Sequence, residues 1–201
     1  GLVMLVAVAG LYAVTASQGG PSFLLSDLQG VEMSQGIGRW LFVGFFFAFA
    51  VKAPMAGLHT WLPDAAEQST PGTSTLLVGI LDKIGTFGMI KICLMVFPEA
   101  SAWATPFILV WAVVSVLYGA LMALNARDLL RLVSYTSISH FGFMVFGIFA
   151  LTTQSLSGSI LYMLNHGLST AAMFLVVGFM IRRRGSADID AFGGVQKVAP
   201  V

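Results

Sequence analysis

Charged residues are scarce in this sequence. Asp, Glu, Lys and Arg make up only 9% of its 201 residues, whereas a soluble globular domain carries about 25%. Hydrophobic residues reach 57%, and the chain has 22 Gly residues, a residue type that is commoner in membrane helices than in soluble ones. This composition excludes a water-soluble fold and indicates an integral membrane protein.

Two further scarcities exclude other classes of function. The net charge is only +1, so the chain has no basic surface with which to neutralise a nucleic-acid backbone. Cys93 is the single cysteine, so the chain has neither an internal disulfide nor a CxxC or Cys/His metal motif. We therefore expect no nucleic-acid binding and no metal, haem or iron–sulfur site in this chain.

The apolar residues form six long segments. A hydrocarbon core of about 30 Å requires roughly 20 apolar residues per helix, and turn-forming or charged clusters divide the chain accordingly. The alternating pattern of a membrane barrel is absent, and helices are the other way to satisfy backbone polar groups in lipid. We predict an all-α bundle of membrane-spanning helices. The predicted spans, A to F, are residues 1–16, 39–62, 70–97, 103–124, 128–152 and 155–181.

The ends of the chain predict a piece of a longer protein. Gly1 is not an initiator Met, and the residues before Val201 look like the start of another segment. Span A also lacks the positively charged flank of a signal peptide. We expect the chain to be internal to its protein.

The basic residues predict an orientation. When loops are counted alternately, one side receives Arg127, Arg131, Arg182–Arg184 and Lys197, and the other receives Arg39. By the positive-inside rule, the loops with Arg127 and Arg182–Arg184 are expected on the cytoplasmic side.

Four ionisable side chains lie near the middle of predicted spans. Lys52, Lys83, His140 and His166 stand roughly 17–20 Å from the start of their spans, at about 1.5 Å per residue. A lysine at a helix centre costs about 2.5–3.5 kcal/mol on insertion scales, so it needs an inward-facing partner or water. We interpret the four residues as candidate proton-transfer groups on one line. The alternative is that each is a buried polar group that only fixes helix packing.

Span B is predicted to be broken. Pro54 follows Lys52 by two residues, removes a backbone donor and disfavours helical geometry at Ala53. At membrane depth, non-helical backbone occurs where it is buried in protein or lines a water-filled cavity, and discontinuous helices mark ion sites in transporters. We expect freed carbonyls near Lys52. A simple proline kink is the alternative.

Span C carries Asp82 directly before Lys83. Consecutive residues on a helix differ by about 100° of rotation, so each of the two side chains needs a different neighbour. A buried lysine whose acidic partner changes charge can load and release a proton.

Hydroxyl groups flank both midplane histidines, three or four residues away on the same helix face. They are Thr136 and Ser137 beside His140, and Tyr162 and Ser169 beside His166. Because histidine titrates near neutral pH and has two ring nitrogens, such groups can hold a water wire for protons. The alternative is that the hydroxyls only bond one helix to another, which contributes about 0.6 kcal/mol each on average.

Several motifs resemble the antiporter-like proton-pumping subunits of respiratory complex I. They are Lys52-Ala53-Pro54, His59-Thr60-Trp61-Leu62-Pro63-Asp64-Ala65, the stretches 79–86 and 128–142, and Asn165-His166-Gly167. The resemblance covers about residues 36–201 and implies an inverted-repeat antiporter-like fold of two five-helix repeats, each with one broken helix. Residues 1–97 would hold three helices that end the first repeat. Residues 98–201 would hold three helices that begin the second, with a cytoplasmic-side tail.

The same resemblance implies roles for individual residues. Lys52 falls on the family's broken-helix lysine, Lys83 on its central lysine, and His140 and His166 on its connecting histidines. The glutamate that normally pairs with the broken-helix lysine would lie on a helix before span A. Asp82 departs from the family, which usually has an apolar residue there, and is a candidate extra acid for Lys52.

The function that the resemblance implies is proton translocation in the inner (plasma) membrane of a bacterium, coupled to quinone reduction in partner subunits. Those partners, including neighbouring antiporter-like subunits, would hold the flavin, iron–sulfur clusters and quinone, and this chain would hold no cofactor. One alternative is a subunit of a multisubunit cation/proton antiporter, since such chains share the lysines and the broken helix. Another is a membrane scaffold without a proton path.

Overall fold

Helices make up almost all of the regular structure. The computed structural model of the chain describes residues 1–198. Within these residues no strand occurs, apart from one isolated bridge between Asp128 and Asp188, and the prediction of an all-α fold is confirmed. The longer helices are α1 Leu2–Ser17, α3 Gln35–Lys52, α7 Pro98–Leu124, α8 Leu129–Phe149 and α9 Thr153–Arg184. The short ones are α2 Leu25–Leu28, α4 Trp61–Gln68, α5 Pro71–Leu76, α6 Lys83–Gly88 and α10 Val195–Val198.

Local chemistry sets the ends of the two helices that carry the histidines. The Asp128 side chain accepts hydrogen bonds from the backbone N–H groups of Leu130 and Arg131, at 2.8 and 2.9 Å, and so caps the start of α8. Gly185 ends α9 in the left-handed conformation, with a φ of 74°, which glycine adopts without steric cost. Both helices lie within a few residues of predicted spans E and F.

Span B is two helices separated by a non-helical segment. α3 ends at Lys52, and α4 begins only at Trp61. Ala53 leaves helical geometry, with φ and ψ of −87° and 90°, because it precedes Pro54. A break is therefore present within the predicted span 39–62, where residues 53–60 lie between the two helices, and α3 begins four residues before that span, at Gln35.

The helical run over residues 71–96 is not uniformly α-helical. Two π-helical turns, Leu77–Leu81 and Met89–Leu94, flank α6. In the first of them the backbone N–H of Asp82 donates to the carbonyl of Leu77, five residues earlier, at 3.0 Å. Such π turns inside helices occur frequently at functional sites, and here the first one immediately precedes Lys83.

Only some of the described helices are long and apolar enough to span a membrane. Within residues 1–198, three helices, α7, α8 and α9, are long and apolar enough to cross a membrane. α1 is apolar but only 16 residues long, and α3 has 18 residues. The expectation of six spans therefore stays a prediction for α1, α3 and the run 71–96.

Two glycines allow the close approaches that bring the charged side chains together. A Cβ on Gly85 would lie 2.6 Å from the backbone nitrogen of Ala53, so α6 contacts the end of α3 only because this residue is glycine. A Cβ on Gly167 would lie 2.8 Å from the carbonyl oxygen of Gly79, which places α9 against the first π turn. The helical run that carries Lys83 therefore contacts both the end of α3, which carries Lys52, and α9.

Two loops and the short helix α4 meet at one end of the bundle. The backbone N–H of Ile189, after α9, donates to the carbonyl of Arg127, before α8, at 2.9 Å. Arg131 forms ion pairs with Asp64 of α4, at 2.8 Å, and with Glu67. The D–E loop, the segment after α9 and α4 therefore share this end.

Candidate proton-transfer site

Lys52 is the last residue of α3 and lies at the break. Its Nζ atom is 3.8 Å from Oδ1 of Asp82 and 5.4 Å from the centre of the Trp61 ring. The side chain of Asp82 is 0% exposed, whereas that of Lys52 is 38% exposed. An ionisable pair therefore joins the end of α3 to the helical run of span C.

The non-helical segment after Lys52 is held by hydrogen bonds from aromatic and hydroxyl side chains. The indole N–H of Trp61 donates to the carbonyl of Val51 at 2.9 Å, so it satisfies one of the carbonyls released at the break. From α7, the hydroxyl oxygen of Ser115 accepts from the Ala56 N–H at 3.0 Å, and the indole N–H of Trp111 donates to the Ala56 carbonyl at 2.8 Å. These contacts fix the position of the segment. The sequence pattern does not predict them.

His59 is a further titratable residue within the break. It is 4% exposed, its Nδ1 accepts from the backbone N–H of Gly57 at 3.1 Å, and its ring centroid is 4.8 Å from that of Tyr118. In the sequence, His59 is noted only as the first residue of the motif that ends at Ala65.

Lys83 faces α9, away from Asp82. Its Nζ is 2.8 Å from Nδ1 of His166 and 2.5 Å from the carbonyl oxygen of Val78. An ammonium group has donors only, so a protonated Lys83 requires Nδ1 of His166 to accept. The neutral imidazole then carries its own proton on Nε2, a buried atom with no hydrogen-bond partner within residues 1–198.

His140 lies next to His166. The ring centroids of the two histidines are 5.0 Å apart, and Nδ1 of His140 is hydrogen-bonded to the hydroxyl of Tyr162. The sequence places Tyr162 beside His166 on α9, but its hydroxyl reaches across to α8. Phe141 forms an apolar wall, with its ring centre 5.4 Å from Nζ of Lys83 and 5.5 Å from the ring centroid of His166.

The other predicted hydroxyls bond to their own helices. Thr136 and Ser137 both donate to the carbonyl of Val133, at 2.8 and 2.9 Å, and Ser169 donates to that of His166 at 3.3 Å. This back-bonding uses the single proton of each hydroxyl and leaves its oxygen only as an acceptor. Their role in a water wire stays a prediction.

Taken together, the ionisable groups form a series across four helices. Their order is Lys52, Asp82, Lys83, His166, His140 and Tyr162. Lys52 and Asp82 are 3.8 Å apart, the ring centroids of the two histidines are 5.0 Å apart, and Asp82 and Lys83 are consecutive residues. The described part of the chain contains no group of three or more His, Cys, Asp or Glu side chains placed to hold a metal ion.

Comparison with protein families matches residues 1–201 to the NADH:quinone oxidoreductase/Mrp antiporter transmembrane family. The chain belongs to this family. Subunit M of NADH-quinone oxidoreductase from Mycobacterium tuberculosis is 52% identical over 210 residues, which cover 100% of this chain and 37% of that protein. Subunit M from Escherichia coli K12 is 39% identical over 196 residues, which cover 97% of this chain and 38% of that protein. The chain therefore spans well under half the length of these relatives.

Two solved structures share the antiporter-like fold. Respiratory complex I from Thermus thermophilus contains a chain with a TM-score of 0.90 and 33% identity, matched over 99% of this chain and 42% of that one. The Mrp complex from Dietzia sp. contains a chain with a TM-score of 0.79 and 25% identity, matched over 92% of this chain and 33% of that one. The family predicted from the motifs is confirmed. The resemblance of residues 165–167 and 188–194 to the M chain of the bacterial enzyme agrees with the named relatives.

Proposed function

We propose that this chain is part of a proton-translocating membrane subunit of NADH-quinone oxidoreductase and supplies part of its proton path. The series from Lys52 to His140 supports this proposal, because its members come from four helical segments and meet between them. Ionisable residues inside a membrane are costly, and their usual role is an ion or proton pathway. The chain acts as a translocase component without a redox step of its own.

Proton transfer along the series starts from the contact between Lys83 and His166. The ammonium of Lys83 passes a proton to Nδ1 of His166, and the imidazolium releases its other proton from Nε2. That proton reaches His140 directly or through one water, and the hydroxyl of Tyr162 lies next to it. Each transfer lowers the charge of the donating group by one. After the proton has reached His140, the amine of Lys83 is neutral and can accept the next proton.

The energy for these transfers comes from partner subunits. We place the flavin, the iron–sulfur clusters and the quinone in those partners, together with neighbouring antiporter-like subunits of the same complex. The membrane is the bacterial inner (plasma) membrane, with the Arg127 and Arg182–Arg184 loops on the cytoplasmic side. Residues 1–97 end the first of two inverted repeats, and residues 98–201 begin the second.

The test uses the full-length protein purified in its native membrane complex. We expect copurification with flavin and iron–sulfur subunits. After reconstitution into vesicles, NADH and a quinone should drive proton translocation, measured with a pH-sensitive dye. A complex that lacks redox subunits and acidifies vesicles only when a sodium gradient is imposed would contradict the proposal.

That contradicting result defines the second candidate, a subunit of a multisubunit cation/proton antiporter. The likeness to the Mrp complex from Dietzia sp. favours it. The identity to the complex I chain from Thermus thermophilus is higher, at 33% against 25%, and we therefore prefer the redox-driven function.

The two histidines allow a test of whether the series is one path. His140→Ala and His166→Ala should each slow NADH-driven proton translocation by about tenfold, because each removes one relay group that water replaces poorly. The double variant should lose more than the sum of the single losses in free energy, since the second removal leaves a water gap too long to conduct.

Proton translocation rates of the two single variants and the double variant, measured at equal amounts of assembled complex, complete the cycle. Thr105→Ala is the control, because this hydroxyl lies on α7, outside the series, and donates to the carbonyl of Ser101 at 2.8 Å. Additive or silent effects of the histidine substitutions would assign the histidines to helix packing.

A further inference from the structure

Asp82 is a fully buried carboxyl group in the middle of span C. Its side chain is 0% exposed, and within residues 1–198 neither carboxyl oxygen has a hydrogen-bond partner. Burying a polar group without hydrogen bonds is costly, and burying a charge without a close partner is costlier still. Packing alone therefore gives no reason for an aspartate at this position, where an apolar side chain of similar size fits at lower cost.

The position of Asp82 between two lysines supplies such a reason. On one side, its Oδ1 is 3.8 Å from Nζ of Lys52, which is an ion-pair distance but longer than a hydrogen bond. On the other side, the next residue is Lys83, whose Nζ lies at the carbonyl of Val78, within the turn that precedes Asp82. Within residues 1–198, Lys52 is the only basic side chain within 4 Å of this carboxyl group.

The first π turn creates this arrangement. Because the N–H of Asp82 reaches back five residues to Leu77, the turn is wider than in an α-helix and changes the facing of the residues that follow. As a result Asp82 faces α3 while Lys83 faces α9. One carboxyl group therefore connects the broken helix to the histidines on the other side.

We propose that Asp82 is a proton carrier that passes protons between Lys52 and Lys83. This inference rests on the proposed function and assigns a residue to the first part of the same path. In the first step the ammonium of Lys52 gives a proton to Oδ1 of Asp82, which leaves a neutral amine and a neutral carboxylic acid. In the second, the acid gives its proton to the neutral amine of Lys83, which restores the carboxylate and leaves an ammonium beside His166.

The second step requires side-chain rotation, because Nζ of Lys83 lies at Val78 and His166 and not at Asp82. The carboxyl group turns about two bonds, and the stem of Lys83 has four carbons and many rotamers. Because the carboxyl group of Asp82 is itself fully buried, a change of charge on either lysine acts on it with less screening than between two exposed groups. Each step therefore biases the next.

The test is made in the full-length protein within its assembled complex. Asp82→Asn keeps the shape but cannot carry a proton, and Asp82→Glu keeps the acid. We expect Asp82→Asn to slow NADH-driven proton translocation at least about tenfold, and Asp82→Glu to retain most of the rate. Asp190→Asn removes an exposed carboxyl group and should leave translocation unchanged.

A second variant, Asp82→Leu, is used in case the asparagine of Asp82→Asn impairs assembly of the complex. Replacing both members of a buried ion pair by apolar side chains is often neutral or stabilising. Asp82→Leu is combined with Lys52→Met, and this pair should assemble but translocate as poorly as Asp82→Asn. Normal translocation in either assembled variant would overturn the inference.

Infrared difference spectra separate a proton carrier from a fixed counter-ion. Reduction of the complex should change a carboxylic-acid carbonyl band that shifts in heavy water and is missing in Asp82→Asn. A spectrum identical in the two proteins would overturn the inference, because a fixed counter-ion never becomes protonated. If Asp82→Asn pumps normally while Lys83→Met does not, the inference fails and the proposed function stands. If Lys83→Met also pumps normally, the proposed function fails.

Discussion

Replacing Lys83 by Met should remove most NADH-driven proton translocation while the complex still assembles. Methionine has a similar length and no charge, so it fills the space and removes the cost of a buried ammonium. It also removes the amine that contacts Nδ1 of His166 at 2.8 Å. A positioned proton-transfer group contributes about 10²–10⁴-fold to a rate, and we expect the initial rate of proton uptake to fall at least about tenfold.

The same helical run offers a matched control. Lys91 lies in the second π turn, and Lys91→Met removes one positive charge without touching the series. Assembly is checked by native gel and by flavin content, and proton uptake is measured in vesicles at equal flavin. Normal uptake by assembled Lys83→Met, with Lys91→Met also normal, would show that the central lysine is dispensable and would favour the scaffold interpretation.

Features fixed by local chemistry could be predicted from the sequence. The break follows from Pro54, which has no N–H and restricts Ala53, and the structure ends α3 at Lys52. α9 ends at Arg184, three residues beyond the predicted end of span F, where Gly185 adopts a positive φ. Long apolar segments likewise predicted helices close to α7, α8 and α9, because a span must be long enough to cross a hydrocarbon core of about 30 Å.

Features that depend on three-dimensional packing could not be predicted. The π turn before Lys83 has no known residue signature, although the sequence already indicated Asp82 as a candidate acid for Lys52. Whether Trp61 reaches the carbonyl of Val51 depends on how the chain folds back after the break. The hydroxyl of Tyr162 was expected near His166, but the crossing of α8 and α9 places it on His140.

Lys52→Arg and Lys52→Ala should both impair proton translocation, for opposite reasons. If Lys52 stores a proton opposite a carboxyl group, its charge must be able to change. A guanidinium stays protonated in proteins, so arginine locks the pair with Asp82 in the charged state. Alanine instead leaves the buried carboxyl group without the cation that lies 3.8 Å away, and a carboxyl group without a counter-charge favours its neutral form.

Proton uptake and quinone reduction are measured together in membranes that carry each Lys52 variant at matched assembly. We expect both variants to translocate protons at least about tenfold more slowly. The arginine variant should assemble as well as the wild type, because it keeps the ion pair, while the alanine variant should be less stable. A purely structural ion pair would instead be rescued by arginine. Full translocation in Lys52→Arg would therefore show that a fixed charge suffices at the break and that Lys52 does not exchange its proton.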